Sequence, residues 1–229
     1  MESFSNLSIK ADDKDKIIKV VQNLAKFTSN YLYQSNPELS TSLLALSNLS
    51  RDSRKLFNLF RSLKEFDEIN NSILNKEKYI TLSYADIILK ISKFFFYLFD
   101  NLSLISSLKL ISLDKLKTGI IGNLFYTSIT VCNISKSLYT LYSLLDEKEK
   151  REKNILSLPN IKDEKDKELN YKIVMSLVDI SGKLGDLLMA LNNSGLIQMI
   201  FGGKIKDSII AFGGAWAGIV SIMQVLQKS

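Results

Sequence analysis

Leu49–Ile73 has the sequence LSRDSRKLFNLFRSLKEFDEINNSI. Wound as a helix at about 100° per residue, it gathers Leu49, Leu56, Leu59, Phe60, Leu63 and Phe66 into one apolar arc of roughly 120°, with Phe57 at the edge. Arg51, Arg54, Lys55, Arg61 and Lys64 take the flanks and the opposite side, and Asp52 is the only acid before Glu65. A basic amphipathic helix with bulky aromatics suits the surface of an anionic phospholipid membrane. A surface helix covering its own protein's core has the same periodicity, so both readings stand on this stretch alone.

The surrounding chain favours helices throughout. It has 229 residues and only 2 prolines, a length that fits one large domain or two small ones. Hydrophobic residues make up 46%, charged residues 24%, and the mean hydropathy is +0.07. Proline scarcity and long periodic runs predict an all-α fold. The expectation is a membrane-associated helical bundle with amphipathic helices and a C-terminal apolar, membrane-inserted helix.

The composition excludes several chemistries. Histidine is absent, which removes Ser-His-Asp and Cys-His catalysis and any His-bearing zinc site. Cys132 is the single cysteine, so intrachain disulfides and thiolate clusters are excluded. No glycine-rich phosphate loop joins a strand to a helix. No catalytic constellation, metal site or cofactor site is expected, and the chain does not read as an enzyme. The net charge is +6 with a pI near 9.2. Acids are mixed with the bases nearly everywhere except in 51–64, whose unbroken Leu/Phe face suits lipid; no nucleic-acid partner is expected. Glu2, Asp12, Asp13 and Asp15 predict no secretory signal, and the final Gln-Lys-Ser does not match a peroxisomal matrix address.

In chain order, residues 1–145 read as an N-terminal helical region. Residues 1–11 are polar and expected to fray. Asp12 or Asp13 is expected to cap a helix running to about Gln34, which Pro37 stops. Glu38–Leu49 is a short helix, after which Asp52 or Ser53 caps the opening helix over 49–73. Residues 79–113 form an aromatic helix broken by Lys90, Lys93, Asp100 and Lys109. Phe94–Leu108 is long enough to enter a bilayer, but an ionised Asp100 there would cost on the order of 3 kcal/mol. That run is a buried or interfacial helix, or a span whose Asp100 is partnered. Residues 118–135 carry no charge and read as a long helix packed on its neighbours, with a span as the alternative. Residues 146–170 alternate in charge and contain Pro159, which predicts a solvated, variable linker with helical pieces. The C-terminal helices follow over 171–229, interrupted at Asn192–Gly195, with a turn at Gly202-Gly203. Residues 208–226 form an uncharged membrane segment, and Gly214-x-x-x-Gly218 supplies a small face for close helix packing.

Three of these pieces, in this order, resemble the peroxin-eleven family, which elongates and proliferates peroxisomes. Ser53-Arg54-Lys55-Leu56-Phe57-x-Leu-Phe-Arg-x-Leu is similar to that family's basic amphipathic motif. Phe95-Phe96-Tyr97-Leu98-Phe99-Asp100-Asn101-Leu102 and the residues through Ile111 resemble its Tyr-x-x-Asp-Asn-Leu region. The glycine-rich C-terminal segment resembles its terminal membrane segment. Lys109-Leu110 departs from the pattern, standing where the family has glycine, and this favours a continuous helix there. The resemblance implies residence in the peroxisomal membrane with cytosolic termini. It implies curvature by insertion of the basic helix through Arg54, Lys55, Leu56, Phe57, Leu59, Phe60, Arg61, Leu63, Lys64 and Phe66. It further implies self-association into a homo-oligomer, with Gly214 and Gly218 as candidates for the contact, and recruitment of dynamin-related fission machinery through adaptors. Two other functions compete: a channel for small metabolites with Asp100 and Lys109 along a water path, and a soluble helical adaptor.

Overall fold

The computed structural model describes residues 2–59, 61–74, 84–153 and 162–226. Every regular element among the described residues is a helix: α1 (Glu2–Leu32), α2 (Pro37–Phe57), α3 (Arg61–Leu74), α4 (Tyr84–Ser107), α5 (Lys115–Lys153), α6 (Lys162–Asn193), α7 (Leu196–Phe201) and α8 (Asp207–Leu226).

Local chemistry explains most boundaries. The Asn36 side chain accepts a hydrogen bond from the Leu39 amide at 3.1 Å, and Pro37 fills the first helical position, so Pro37 opens α2 as well as following α1. Asp114 caps α5 by accepting from the amides of Leu116 and Lys117 at 2.9 and 3.2 Å. Gly195 and Gly202, at φ 78° and 67°, bound the single turn and a half of α7, which confirms the turn expected at Gly202-Gly203.

Three expectations are corrected, and a fourth is sharpened. The chain is helical from Glu2, so Asp12 and Asp13 lie inside α1 instead of capping it. Asp52 and Ser53 lie inside α2, which runs unbroken from Pro37 to Phe57. The charged segment 146–170 has the helical pieces expected of it in its described parts, which complete α5 and open α6. Ion pairs one turn apart, Asp146–Lys150, Glu149–Lys153 and Glu168–Lys172, each at 2.6 Å, lace those ends. Residues 154–161, with Pro159, lie outside the described residues, as do 79–83 of the aromatic segment. Finally, α4 stops at Ser107 instead of continuing. Lys109 adopts φ 58°, its amide bonds the Ser106 carbonyl at 3.0 Å, and the Leu110 amide bonds the Ile105 carbonyl at 3.3 Å. This paired closure normally uses glycine, because a Cβ is strained in the left-handed region. The lysine therefore occupies a glycine's conformation.

The packing order closes on itself. α1 packs on α2 and α8, α8 on α6, α6 on α5, α5 on α4, and α4 touches α2; α3 lies on α4. N- and C-terminal segments thus share one bundle. Its interior is largely polar. Buried side chains include Asn23 and Ser29 of α1, Ser40, Ser47 and Ser50 of α2, Ser92, Asn101 and Ser103 of α4, and Thr127, Thr130 and Ser137 of α5. They are used as hydrogen-bonding contacts. The Ser29 hydroxyl donates to the Ser40 carbonyl at 2.8 Å and the Ser40 hydroxyl to the Ser29 carbonyl at 2.9 Å, while Ser47 donates to the Gln22 carbonyl at 2.9 Å. Small polar residues let helices approach closely and supply bonds across the seam. Large apolar residues point the other way: Ile17, Val21 and Leu24; Leu39, Leu46 and Leu49; Ile87, Ile88 and Ile91; Leu124, Val131 and Leu138; Val174, Leu177 and Leu184 are all exposed.

α8 shows the same division most sharply. Ile210, Ala211, Gly213, Gly214, Ala215, Ala217, Gly218 and Val220 are buried, whereas Ile209, Phe212, Trp216, Ile219, Met223 and Leu226 form an outward stripe. It is the one described helix long and apolar enough to cross a membrane, with a mean hydropathy of 1.9. A Cβ on Gly214 would lie 2.6 Å from Asn23 Oδ1, and one on Gly218 would lie 2.6 Å from Val20 Cγ2, both on α1. A Cβ on Gly185 of α6 would collide with the Gly213 backbone. Asp179 of α6 joins three helices, accepting from Ser137, Lys183 and Gln224 at 2.6 Å each.

Two substitutions follow from this geometry, both read by thermal unfolding of the purified protein in detergent. Gly185→Ala must push α6 and α8 apart and is expected to cost about 1–3 kcal/mol. Lys109→Gly relieves the left-handed lysine and is expected to stabilise by about 1 kcal/mol.

Candidate functional site

The helix expected over 49–73 is divided. α2 ends at Phe57, a turn passes through Asn58 and Leu59, and α3 starts at Arg61. Phe60 lies outside the described residues. Two carbonyls of the last turn, Arg54 and Lys55, receive the Asn58 amide at 3.1 and 3.2 Å, and the Arg61 amide bonds the Asn58 carbonyl at 3.0 Å. Asn is a poor interior helix residue and a good turn residue, so Asn58 suits the turn that contacts from another helix hold in place.

α4 holds this turn from behind. The Asn101 amide donates to the Leu59 carbonyl at 2.6 Å and lies 3.3 Å from the Ser62 hydroxyl. Asp100 pairs with Lys55 at 3.1 Å, and Lys55 also donates to Ser103 at 3.3 Å. Tyr97 accepts from Arg61 at 3.1 Å, with the guanidinium 5.3 Å from the ring centroid. Arg61 also donates to the Asn58 side chain at 2.9 Å. The Tyr-x-x-Asp-Asn signature is thus a clamp on the turn between α2 and α3. Phe95, also of the signature, stacks on Phe125 of α5 with centroids 5.0 Å apart, and Leu102 is half-buried.

These partners reassign the basic residues. Arg54 turns inward to Asp15 of α1, at 2.8 Å from Nε and 3.3 Å from Nη2, and donates to Gln22 at 3.1 Å. Arg54, Lys55 and Arg61 therefore have intrachain partners instead of pointing at lipid phosphates; Lys64 is exposed on α3. The apolar face keeps its expected direction. Leu49, Leu56, Phe57, Leu63 and Phe66 are 67%, 58%, 47%, 63% and 55% exposed. Leu59 is half-buried, and Phe66 also meets Phe94 at 5.9 Å. Gly214 and Gly218, candidates for self-association, are covered by α1 of the same chain.

Periodicity alone missed Asp15, Gln22, Ser62 and Ser103, each of which sits on another helix from its partner. One signal was available: Ser40, Ser47 and Ser50 share a helix face, and a serine stripe beside leucines marks a close polar seam.

Behind the clamp lies a cavity of about 890 Å³, lined from α1, α2, α3, α4, α5, α6 and α8. Its walls carry Lys16, Lys19, Arg51, Arg54, Lys55, Arg61 and Lys115 against Asp15, Asp52, Asp100 and Asp114, so positive charge is in excess. Lys19 pairs with Asp186 at 2.5 Å. No cluster of metal-ligating side chains occurs among the described residues.

Glu65, on the buried side of α3, has an Oε2 without a hydrogen-bond partner among the described residues. Burial pushes its carboxyl above the usual carboxylate range; Lys93, Lys64 and Arg61 oppose that shift and Glu68 adds to it. A raised carboxyl favours the protonated folded state, so the ionised group is a cost at neutral pH that disappears as pH falls through its folded-state pKa. Glu65→Gln is expected to raise the melting temperature at neutral pH and to lose that advantage in acid. Asn101→Asp sets an acceptor against the Leu59 carbonyl and is expected to cost about 1–3 kcal/mol in the same assay.

The family profile described as Peroxisomal biogenesis factor 11 (PEX11) matches residues 1–226. A Dictyostelium discoideum protein named peroxisomal membrane protein 11 homolog is 26% identical over 155 residues, which cover 68% of this chain. The chain spans 59% of the length of that relative. No solved structure matches.

Proposed function

This chain belongs to the PEX11 family of peroxisomal biogenesis factors, whose place is the peroxisomal membrane, and we propose that it remodels and elongates that membrane by apolar insertion around the α2–α3 turn. One observation carries the reading: Leu49, Leu56, Phe57, Leu63 and Phe66 are held outward on both sides of a clamped turn. Acyl chains receive such a face, each buried methylene contributing about 0.8 kcal/mol. Insertion from the cytosolic side widens one leaflet and favours positive curvature. The termini are cytosolic in this reading, self-association concentrates the wedges, and dynamin-related machinery, brought by adaptors, completes fission. Because Arg54, Lys55 and Arg61 already have intrachain partners, binding depends more on apolar area than on anionic headgroups. The family setting leaves little for the soluble-adaptor reading, and the reading includes no catalysis.

A second reading, passage of small metabolites, is favoured by the cavity and its excess of positive charge. It does not compete for the same residues as the wedge, since neither Phe57 nor Phe66 lines the cavity.

The test uses the full chain with anionic liposomes. The unaltered protein is expected to tubulate them and to keep doing so at high salt, while Phe57→Glu with Phe66→Glu abolishes tubules. Unchanged tubulation by the double variant would sink the wedge. For passage, Lys115→Glu at the cavity wall is expected to shift ion selectivity toward cations in planar bilayers; an unaltered selectivity argues against a conducting cavity.

A further inference from the structure

In this fold α8 cannot enter a bilayer alone. Its small face is pressed onto α1 and α6, where Gly214 meets Asn23 and Gly213 meets the Gly185 backbone. Pulling α8 away would also strip Gln224 from Asp179 and leave polar side chains of α1 and α6 without their apolar cover. If α8 is in hydrocarbon, α1 and α6 are there with it.

The neighbouring helices are built for the same setting. Leu24, Leu46, Ile88, Leu124, Leu177 and Trp216, one from each of the six long helices, all face outward and are exposed. Small polar residues are concentrated inside the ring, beside a few aliphatics such as Leu89, Leu104, Ile129 and Ile210, while many of its leucines, isoleucines and valines face outward, a bias opposite to that of a protein whose core is drier than its surroundings. We propose that the ring of α1, α2, α4, α5, α6 and α8 sits in the bilayer as one unit, with acyl chains against its outward stripes. A second copy of the chain would cover one or two sides of a closed ring. A stripe on every side calls for a medium that surrounds it. α8, α2 and α4, with 20, 21 and 24 residues at about 1.5 Å per residue, are close to a hydrocarbon core of roughly 30 Å, while α1, α5 and α6, with 31, 39 and 32 residues, extend beyond it. This inference reaches beyond the wedge, in which only the α2–α3 region touches lipid.

The experiment uses the full chain reconstituted into phosphatidylcholine vesicles. Cys132 is the single cysteine, so Cys132→Ser gives a background for Leu24→Cys, Ile88→Cys and Leu177→Cys, each spin-labelled singly. The single tryptophan, Trp216, reports from the unaltered protein. All three labels are expected to collide with oxygen in preference to a water-soluble nickel chelate, and brominated acyl chains are expected to quench Trp216. Labels at Leu24 and Leu177 open to the nickel chelate would overturn the proposal, because the bundle would then stand in water. Labels shielded from both reagents would also overturn it, by showing a protein partner over the stripes. Neither outcome depends on tubulation, so the wedge and the embedded ring can fail separately.

Discussion

The fold depends on polar side chains finding one another inside it. A buried donor or acceptor without a partner costs roughly 1–3 kcal/mol, so an interior of serines, threonines and asparagines is stable only when its bonds close. Some close within a helix, as Thr127 does on the Asn123 carbonyl, and others between helices: Ser29 with Ser40, Arg54 with Asp15, Asp179 with Ser137 and Gln224. Such bonds are directional. A leucine seam tolerates a small slide of one helix on another, whereas a pair such as Lys19–Asp186 breaks when the register moves. The register of the bundle is thus written in its polar residues, and the glycines of α6 and α8 bring the backbones close enough for those bonds to form.

Much of the architecture was legible in the sequence. The periodic runs gave helices, the uncharged C-terminal segment emerged as α8, and the Tyr97–Leu102 signature marked the region on which the candidate site turns. What periodicity cannot supply is a sign. A stripe at helical spacing says that a helix has two unlike faces, and not which one turns inward. In water the apolar face is buried. In this ring Leu24, Leu49 and Leu177 face out while Asn23, Ser50 and Ser137 face in. The serines of α2 carried that information, since small polar residues are chosen where helices approach closely, but their spacing reads as easily as a solvated face.

The break at Asn58 and the fate of the cations were illegible for a different reason. One asparagine in an otherwise strong helical pattern costs a few tenths of a kcal/mol, too little to end a helix by propensity. The turn is held by Asn101, Asp100 and Tyr97, which belong to another helix, and tertiary contacts decide where local preferences are weak. The same contacts turn Lys55 and Arg61 from lipid anchors into structural residues. Lys109 shows the converse. Its sequence argues for a continuous helix, yet the paired bonds from Lys109 and Leu110 close α4 at the cost of a strained lysine.

The Lys55–Asp100 pair joins the two readings of function at one point. Both residues line the cavity, and the same pair ties the end of α2 to α4 behind the outward apolar face. Neutralising Asp100 would alter the charge of the cavity and loosen the turn together, because it removes the ion pair that ties Lys55 of α2 to α4. An effect of that change on membrane shape, or on conductance, would not say which function was lost first. Phe57 and Phe66 differ in kind. They do not line the cavity: Phe57 lies on the outward apolar face and Phe66 lies there too while meeting Phe94, whereas Lys115 lines the cavity. In these two readings, residues at the periphery of the site bear on shaping or on passage separately, and those at its centre bear on both.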